Sequence, residues 1–189
     1  MLTKKSKGLR ATGMAAVSCT RHQLFRPLGM GDLQKGERCV HSHLLPTNVL
    51  LTICCSQCNM DYLFTSSIAG CGLRLVTISY DVGCQWFVKF WNRVPRLPEF
   101  LRHSLTSINI RPLVPKFHLQ SHIEACHSAF SFNFFKGGAR TDGEGVERNW
   151  KELNGHGPST LEMLPGARWD TLDDCCGWVN WRKTMGLGV

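Results

Sequence analysis

The sequence predicts an α/β fold, and three observations carry that prediction. Leu73 to Tyr80 (LRLVTISY) is a β-branched, apolar run bounded by Gly70 and Gly72, the composition of a buried central strand, and Asp81 stands at its C-terminal end. Gln85 to Val94 (QWFVKFWNRV) sets Trp86, Phe87, Phe90, Trp91 and Val94 at helical spacing before Pro95, so a helix follows the strand. Thr141 and Glu144 have the spacing of a capping box, which predicts a second helix from Asp142 to about Leu153, closed by Asn154-Gly155.

Between these units the elements are less regular. Ile108 to Leu119 (INIRPLVPKFHL) reads as extended, with Pro112 and Pro115 confining it to an edge or irregular strand. Ser121 is a suitable N-cap for a short helix through His127. The tail has a further capping signal, Ser159-x-x-Glu162, and continues as a Trp-rich helix packing on the core. No Gly-rich phosphate loop is present, because Gly137-Gly138 lacks a following Gly-Lys-Ser/Thr.

Length, composition and charge narrow the class. The 189 residues suit one domain, and 43% apolar residues with six Trp and ten Phe are enough for a packed core. The net charge of +8 is concentrated at the start: Met1 to Arg38 holds eight Lys or Arg against Asp32 and Glu37. That basic arm, with Lys4, Lys5, Lys7 and Arg10, suits contact with a polyanion and equally a solvated terminus. Ten cysteines without an apolar signal-peptide core point to a reducing, intracellular setting rather than to a disulfide framework or secretion. No run is long and apolar enough to span a membrane; Leu44 to Cys55 is interrupted at Pro46, Thr47 and Asn48.

Three groups of residues could carry chemistry. Asp81 at a strand end and a Glu on the later helix, Glu144 or Glu147, are two of the three carboxylates a two-metal phosphoryl-transfer site uses. Glu144 has a structural alternative, closing the capping box, with Arg148 paired to it one turn on. His118, His122 and Cys126 lie four residues apart and form a candidate Zn²⁺ row, with Cys84 or His127 as a further donor, against a purely structural role. Cys39 to Gln57 has no Asp, Glu, Lys or Arg and fits neither helix nor strand periodicity; its His41, His43 and Cys55, with Cys58 just beyond it in a Cys-x-x-Cys spacing, make a weaker zinc pattern.

Four motifs in register then carry a resemblance: Tyr80-Asp81-Val82-Gly83-Cys84-Gln85-Trp86; Pro115-Lys116-Phe117-His118-Leu119 with His122 and Cys126; Gly138 to Arg148 (GARTDGEGVER) with Trp150; and Asp170-Thr171-Leu172-Asp173-Asp174. Together they resemble the Kyakuja-Dileera-Zisupton transposases of mushroom-forming fungi over most of Cys58 to Leu187. Residues 1–38 (Ala11-Thr12-Gly13, Cys19-Thr20-Arg21-His22, Gly31 to Arg38) are similar to a stretch that in the family leads almost directly into Asn59-Met60-Asp61-Tyr62. The intervening residues 39–57 therefore read as an atypical insertion, translated intron or gene-model error, ahead of a core fragment at 58–189.

The resemblance implies a partial ribonuclease-H-like domain, an incomplete mixed sheet flanked by helices. It further implies a DDE-type acidic triad holding two Mg²⁺ (or Mn²⁺) ions, with transposon-end DNA as the partner in the nucleus and a homo-oligomer as a candidate assembly. Asp81 matches the second acid and Glu144 or Glu147 the last, with Glu144 favoured. Arg140, Arg148 and Lys151 are the expected DNA contacts. The first Asp would lie on a strand upstream of Ala11; Asp32 and Asp61 are poor substitutes because neither ends an apolar strand. The expectation is an inactive remnant of a DNA strand-cleaving enzyme. The alternatives are a non-catalytic metal- or nucleic-acid-binding module and a product that does not fold stably.

Overall fold

The computed structural model describes residues 13–33, 47–138, 140–160 and 162–187, with side chains described from Gln57 onward in the first helix. The first of the described elements form an antiparallel hairpin, β1 (Gly13–Ser18) and β2 (Phe25–Leu33), in a register from Gly13↔Leu33 to Ser18↔Phe25 with an irregularity between Ala16 and Ser18. Its turn is closed by Cys19 N–H on the Leu24 carbonyl and Gln23 N–H on the Cys19 carbonyl. Gln23 and Leu28 both take positive φ, 57° and 55°.

Helix α1 (Thr47–Ile68) packs across this hairpin, and Leu63 with Met60 meets Ala15, Val17 and Leu33. It starts at Thr47, inside the stretch expected to be neither helix nor strand, and runs unbroken across the boundary drawn at residues 57 and 58. Asp61, Thr65, Ser66 and Ser67 are all buried, so polar residues occupy the inner faces and no amphipathic stripe shows. The Thr65 hydroxyl donates to the Asp61 carbonyl at 2.7 Å and the Ser67 hydroxyl to the Phe64 carbonyl at 2.7 Å, which makes those polar groups compatible with the interior.

Strand β3 (Leu75–Ser79) follows and pairs in parallel with β4 (Asn109–Leu113), Leu75↔Asn109 through Ser79↔Leu113. The crossover between them is helical, as parallel pairing requires: α2 (Gly83–Val88), α3 (Phe90–Arg93) and α4 (Glu99–Ser104). The predicted aromatic helix is therefore two short helices, and its aromatics divide: Trp86 and Phe90 form the main cluster with Leu97, Leu101, Ile108, Ile110 and Phe64 of α1, Phe87 packs against it, and Trp91 is exposed. An ion pair is buried beside it. Asp61 accepts from Arg93 Nε at 2.5 Å, Arg93 Nη2 at 2.9 Å and Trp86 Nε1 at 2.7 Å. Burial raises the Asp61 pKa, and the guanidinium and indole N–H oppose that rise.

Beyond β4, Val114 bridges in parallel to Ser131, and α5 (Lys116–Leu119) and α6 (Glu124–Ala129) lead to α7 (Gly145–Leu153), α8 (Gly157–Thr160) and the long α9 (Pro165–Met185). α9 carries no acid of the site, but it closes the molecule on its first hairpin. Cys176 and Val179 pack on Phe25 and Leu153, the Asn180 amide bonds both Phe25 N–H (2.7 Å) and Phe25 C=O (3.0 Å), and Arg168 pairs with Asp32 at 2.5 Å.

Among the described residues β1 pairs only with β2, and β3 only with β4. A cavity of about 830 Å³ lies between the two sheets, lined along β1 from Met14 to Ser18 and along β3 from Leu75 to Ser79. The buried central strand expected at Leu73 to Tyr80 is thus a half-buried strand with one open edge on this cavity. No helix among the described residues is long and apolar enough to cross a membrane.

Candidate metal and nucleic-acid site

Asp81 sits two residues past β3, where the chain turns into α2: Tyr80 N–H donates to the Leu113 carbonyl at 3.1 Å and Gly83 N–H to the Tyr80 carbonyl at 2.8 Å. The turn presses Gly83 against β4, so that a Cβ there would lie 3.1 Å from the Leu113 carbonyl oxygen. Two other segments are fastened to this strand end. Ser79 Oγ donates to the Gly143 carbonyl at 2.8 Å, and Lys116 N–H donates to the Asp142 carbonyl at 2.9 Å. Gly143 is required at that junction, since its φ is +81° and a Cβ would meet Ser79 Oγ at 2.4 Å and the Phe132 ring at 2.5 Å.

The capping box is not what starts α7. Glu144 is itself the residue before the helix, and the turn is made by Asp142, whose Oδ1 accepts from Glu144 N–H at 2.9 Å. Arg148 pairs with Asp142 (2.9 and 3.3 Å) rather than with Glu144. That pairing, with the Glu144 N–H, pushes the Asp142 carboxyl down to about 2. Glu144 is thereby released toward the site. Its Oε1 accepts Phe117 N–H at 2.9 Å and its Oε2 lies 3.9 Å from His118 Nε2.

His118 stands between carboxylates, with Nδ1 3.6 Å from Asp81 Oδ2. One donor atom each of Asp81, His118 and Glu147 lies within 4.8 Å of the other two. Burial raises the Asp81 pKa, His118 lowers it and the Glu144 charge raises it again. The group is an oxygen-rich donor set with excess negative charge in a partly buried place, and it opens on the cavity between β1 and β3, where Asp81, Glu144 and Glu147 all contribute to the lining.

The His118, His122 and Cys126 row does not lie on one helix. Ser121, expected to start a helix, ends one: its N–H and its hydroxyl both donate to the His118 carbonyl, at 3.1 and 2.7 Å, and α6 begins afresh at Glu124. The two short helices turn His118 toward the acids and leave His122 and Cys126 facing Cys84, which lies in the first turn of α2. Cys84 Sγ is 3.3 Å from His122 Nδ1, and donor atoms of Cys84, His122 and Cys126 lie within 4.8 Å of one another. Burial and the Cys126 contact push the Cys84 thiol up to about 11. The spacing Asp81-x-x-Cys84 was the available signal that one turn serves both groups.

Of the expected DNA contacts, Arg140 and Lys151 are exposed, and Arg148 is committed to Asp142. Asp61 and Asp32 are engaged by Arg93 and Arg168, and neither joins the donor group of Asp81. His41 and His43, and the side chain of Cys55, lie outside the described residues.

A protein-family model described as Kyakuja-Dileera-Zisupton transposase matches residues 1–180. No curated protein and no solved structure matches the chain.

Proposed function

The chain belongs to the Kyakuja-Dileera-Zisupton transposase family, and from that premise we propose that its domain is ribonuclease-H-like and descends from a DNA strand-cleaving and strand-transferring enzyme. The observation that carries the reading is the junction of three segments, the end of β3, the start of α5 and the start of α7. It gathers Asp81, His118, Glu144 and Glu147 at one end of the cavity. The donors suit a hard divalent cation such as Mg²⁺ or Mn²⁺, whose charge would relieve the raised pKa of Asp81. Such an ion, when bound, supplies a more acidic water and stabilises a leaving oxygen.

Asp81 and Glu147 would hold it, with Glu144 as the alternative second carboxylate. Phe117 N–H fixes one Glu144 oxygen, and His118 is placed to donate to Asp81 or Glu144 and so orient them. Exposed Arg140 and Lys151 flank the acidic motif and would meet the phosphates of DNA, the proposed partner in the nucleus.

By itself this chain is proposed not to cleave, because the carboxylates that the described residues bring to Asp81, Glu144 and Glu147, both belong to the motif that supplies the last acid of the triad, and none stands for its first Asp. The cavity supports this account: among the described residues nothing further pairs with the edges of β1 and β3 that border it, which leaves room there for a strand bearing that first acid.

The test is a supercoiled-plasmid nicking assay in Mg²⁺ or Mn²⁺, together with Mn²⁺ binding followed by electron paramagnetic resonance. The expected result is Mn²⁺ binding that Asp81→Ala abolishes, without nicking. Strong nicking lost in Asp81→Ala would overturn the inactivity. Glu147→Gln against Glu144→Gln separates the two carboxylates. Binding to DNA should weaken with salt, and Lys151→Ala should reduce the salt slope by about 1. A second reading, a non-catalytic metal- and nucleic-acid-binding module, is favoured by the Cys84, His122 and Cys126 group, and would show DNA binding with no Mn²⁺ dependence on Asp81.

A further inference from the structure

Two buried sulfurs and one imidazole nitrogen converge behind the acidic site. Cys84 and Cys126 are 8% exposed each, His122 is half-buried, and Val114, Leu119 and Phe130 surround the thiols. Small apolar packing would account for the cysteines alone. It does not account for an imidazole nitrogen 3.3 Å from Cys84 Sγ inside the same cluster. Tetrahedral zinc with bonds of about 2.3 Å to sulfur and about 2.0–2.1 Å to nitrogen sets its S and N ligands roughly 3.6 Å apart. The observed separation needs only a few tenths of an ångström of adjustment, and sulfur with imidazole is a donor set that zinc prefers over Mg²⁺.

The placement of the donors gives the site a consequence. Cys84 lies three residues after Asp81 in the turn that begins α2, and His122 lies four residues after His118, just past α5. His127 donates from Nε2 to the His122 carbonyl at 3.0 Å and so holds that turn from α6. One ion on Cys84, His122 and Cys126 would therefore tie together the two segments that carry Asp81 and His118.

We propose that Cys84, His122 and Cys126 bind a zinc ion, with its fourth position left to water or another donor, and that this ion sets the position of Asp81 relative to His118. The second half rests on the reading of Asp81 and its neighbours as a divalent-cation site; the first half does not.

The experiment uses the full chain purified under reducing conditions. Elemental analysis should give about one zinc per chain, lost in Cys84→Ser and in Cys126→Ser and kept in Cys71→Ser, a variant of an exposed cysteine. Cobalt substitution of the unmutated chain should show thiolate-to-metal charge transfer, which covers the case in which a serine variant fails to fold. Removing zinc with a chelator, then titrating Mn²⁺, should weaken Mn²⁺ binding about tenfold or more, as loss of a ligand-orienting partner does. Folded protein without zinc and without a cobalt charge-transfer band overturns the site, and so does a Cys84–Cys126 disulfide in the reduced preparation. Zinc bound with no effect on Mn²⁺ affinity overturns the tie. Zinc-loaded protein that binds no Mn²⁺ at all overturns the acidic-site reading and the tie together, while the zinc content still stands for the thiol site.

Discussion

Gly143→Ala isolates how much of the acidic site depends on close packing at one backbone atom, because Gly137 provides a matched comparison. Both glycines have positive φ, +81° and +89°, so an alanine at either position carries the same left-handed backbone cost of about 1–2 kcal/mol. At Gly137 a new Cβ meets nothing within 4 Å. At Gly143 it meets Ser79 Oγ at 2.4 Å and two Phe132 ring atoms at 2.5 and 2.9 Å. Ser79 would have to abandon its hydrogen bond to the Gly143 carbonyl, worth about 1 kcal/mol. Phe132, 5% exposed, would have to move in a packed interior, which costs about 1–3 kcal/mol. Gly143→Ala should therefore be less stable than Gly137→Ala by about 2–4 kcal/mol. Equilibrium urea unfolding followed by tryptophan fluorescence measures the difference, provided both variants keep the parent slope against denaturant. Two variants within about 0.5 kcal/mol of each other would refute the packing described at this junction.

Three other outcomes follow from the structure. Arg93→Met should destabilise by about 3–5 kcal/mol in the same unfolding experiment, because it leaves buried Asp61 unpaired, and Asp61→Leu with Arg93→Met should restore most of the loss. Asn180→Ala should cost about 2–4 kcal/mol by orphaning both the N–H and the C=O of Phe25, whereas Asn180→Asp, which keeps the acceptor, should cost less; equal losses in thermal melts would contradict the two-bond geometry. Burial pushes the Cys176 thiol up to about 12, so at pH 8 on the order of 10⁻⁴ of it is thiolate, and iodoacetamide should label exposed Cys71 far ahead of it by peptide mass spectrometry.

What the sequence made legible was the part whose local signals agree with the final packing. The run before Asp81 was legible as a strand though not as a half-buried one, and the helical segment after it and the helix ending at Leu153 combine residue type, periodicity and punctuation in one direction. Elsewhere two local signals compete. At Thr141 to Glu144 the sequence offers two capping oxygens. Asp142 takes the Glu144 N–H and Arg148 as well, leaving Thr141 Oγ1 a weaker contact to Gly143 N–H at 3.4 Å. At Ser121 the same hydroxyl that could begin a helix ends the preceding one. The β1–β2 hairpin showed no alternating pattern because one face meets α1 and parts of both strands meet the cavity and α9; Leu28, 78% exposed at positive φ, departs further from what a strand residue predicts. In the later part of α1 the buried polar residues Asp61, Thr65, Ser66 and Ser67 remove the periodic contrast that marks a surface helix. For the thiol group, the residues were visible but their partnership was not, since which of His118 and Cys84 joins His122 depends on the break between α5 and α6.

The contacts of α9 also bear on when this fold can form. Phe25 and Asn180 are separated by 155 positions, and Gln23 and Lys183 by 160. Closing a loop of that length must precede any reward from the bonds it brings together, which slows folding relative to a chain built on neighbouring contacts. During synthesis the hairpin would emerge before α9 and wait, its α9-facing side uncovered, until that helix leaves the ribosome. A stop codon shortly before Asn180 would therefore do more than shorten a tail: it would leave the amino-terminal hairpin without the last partner that fastens it.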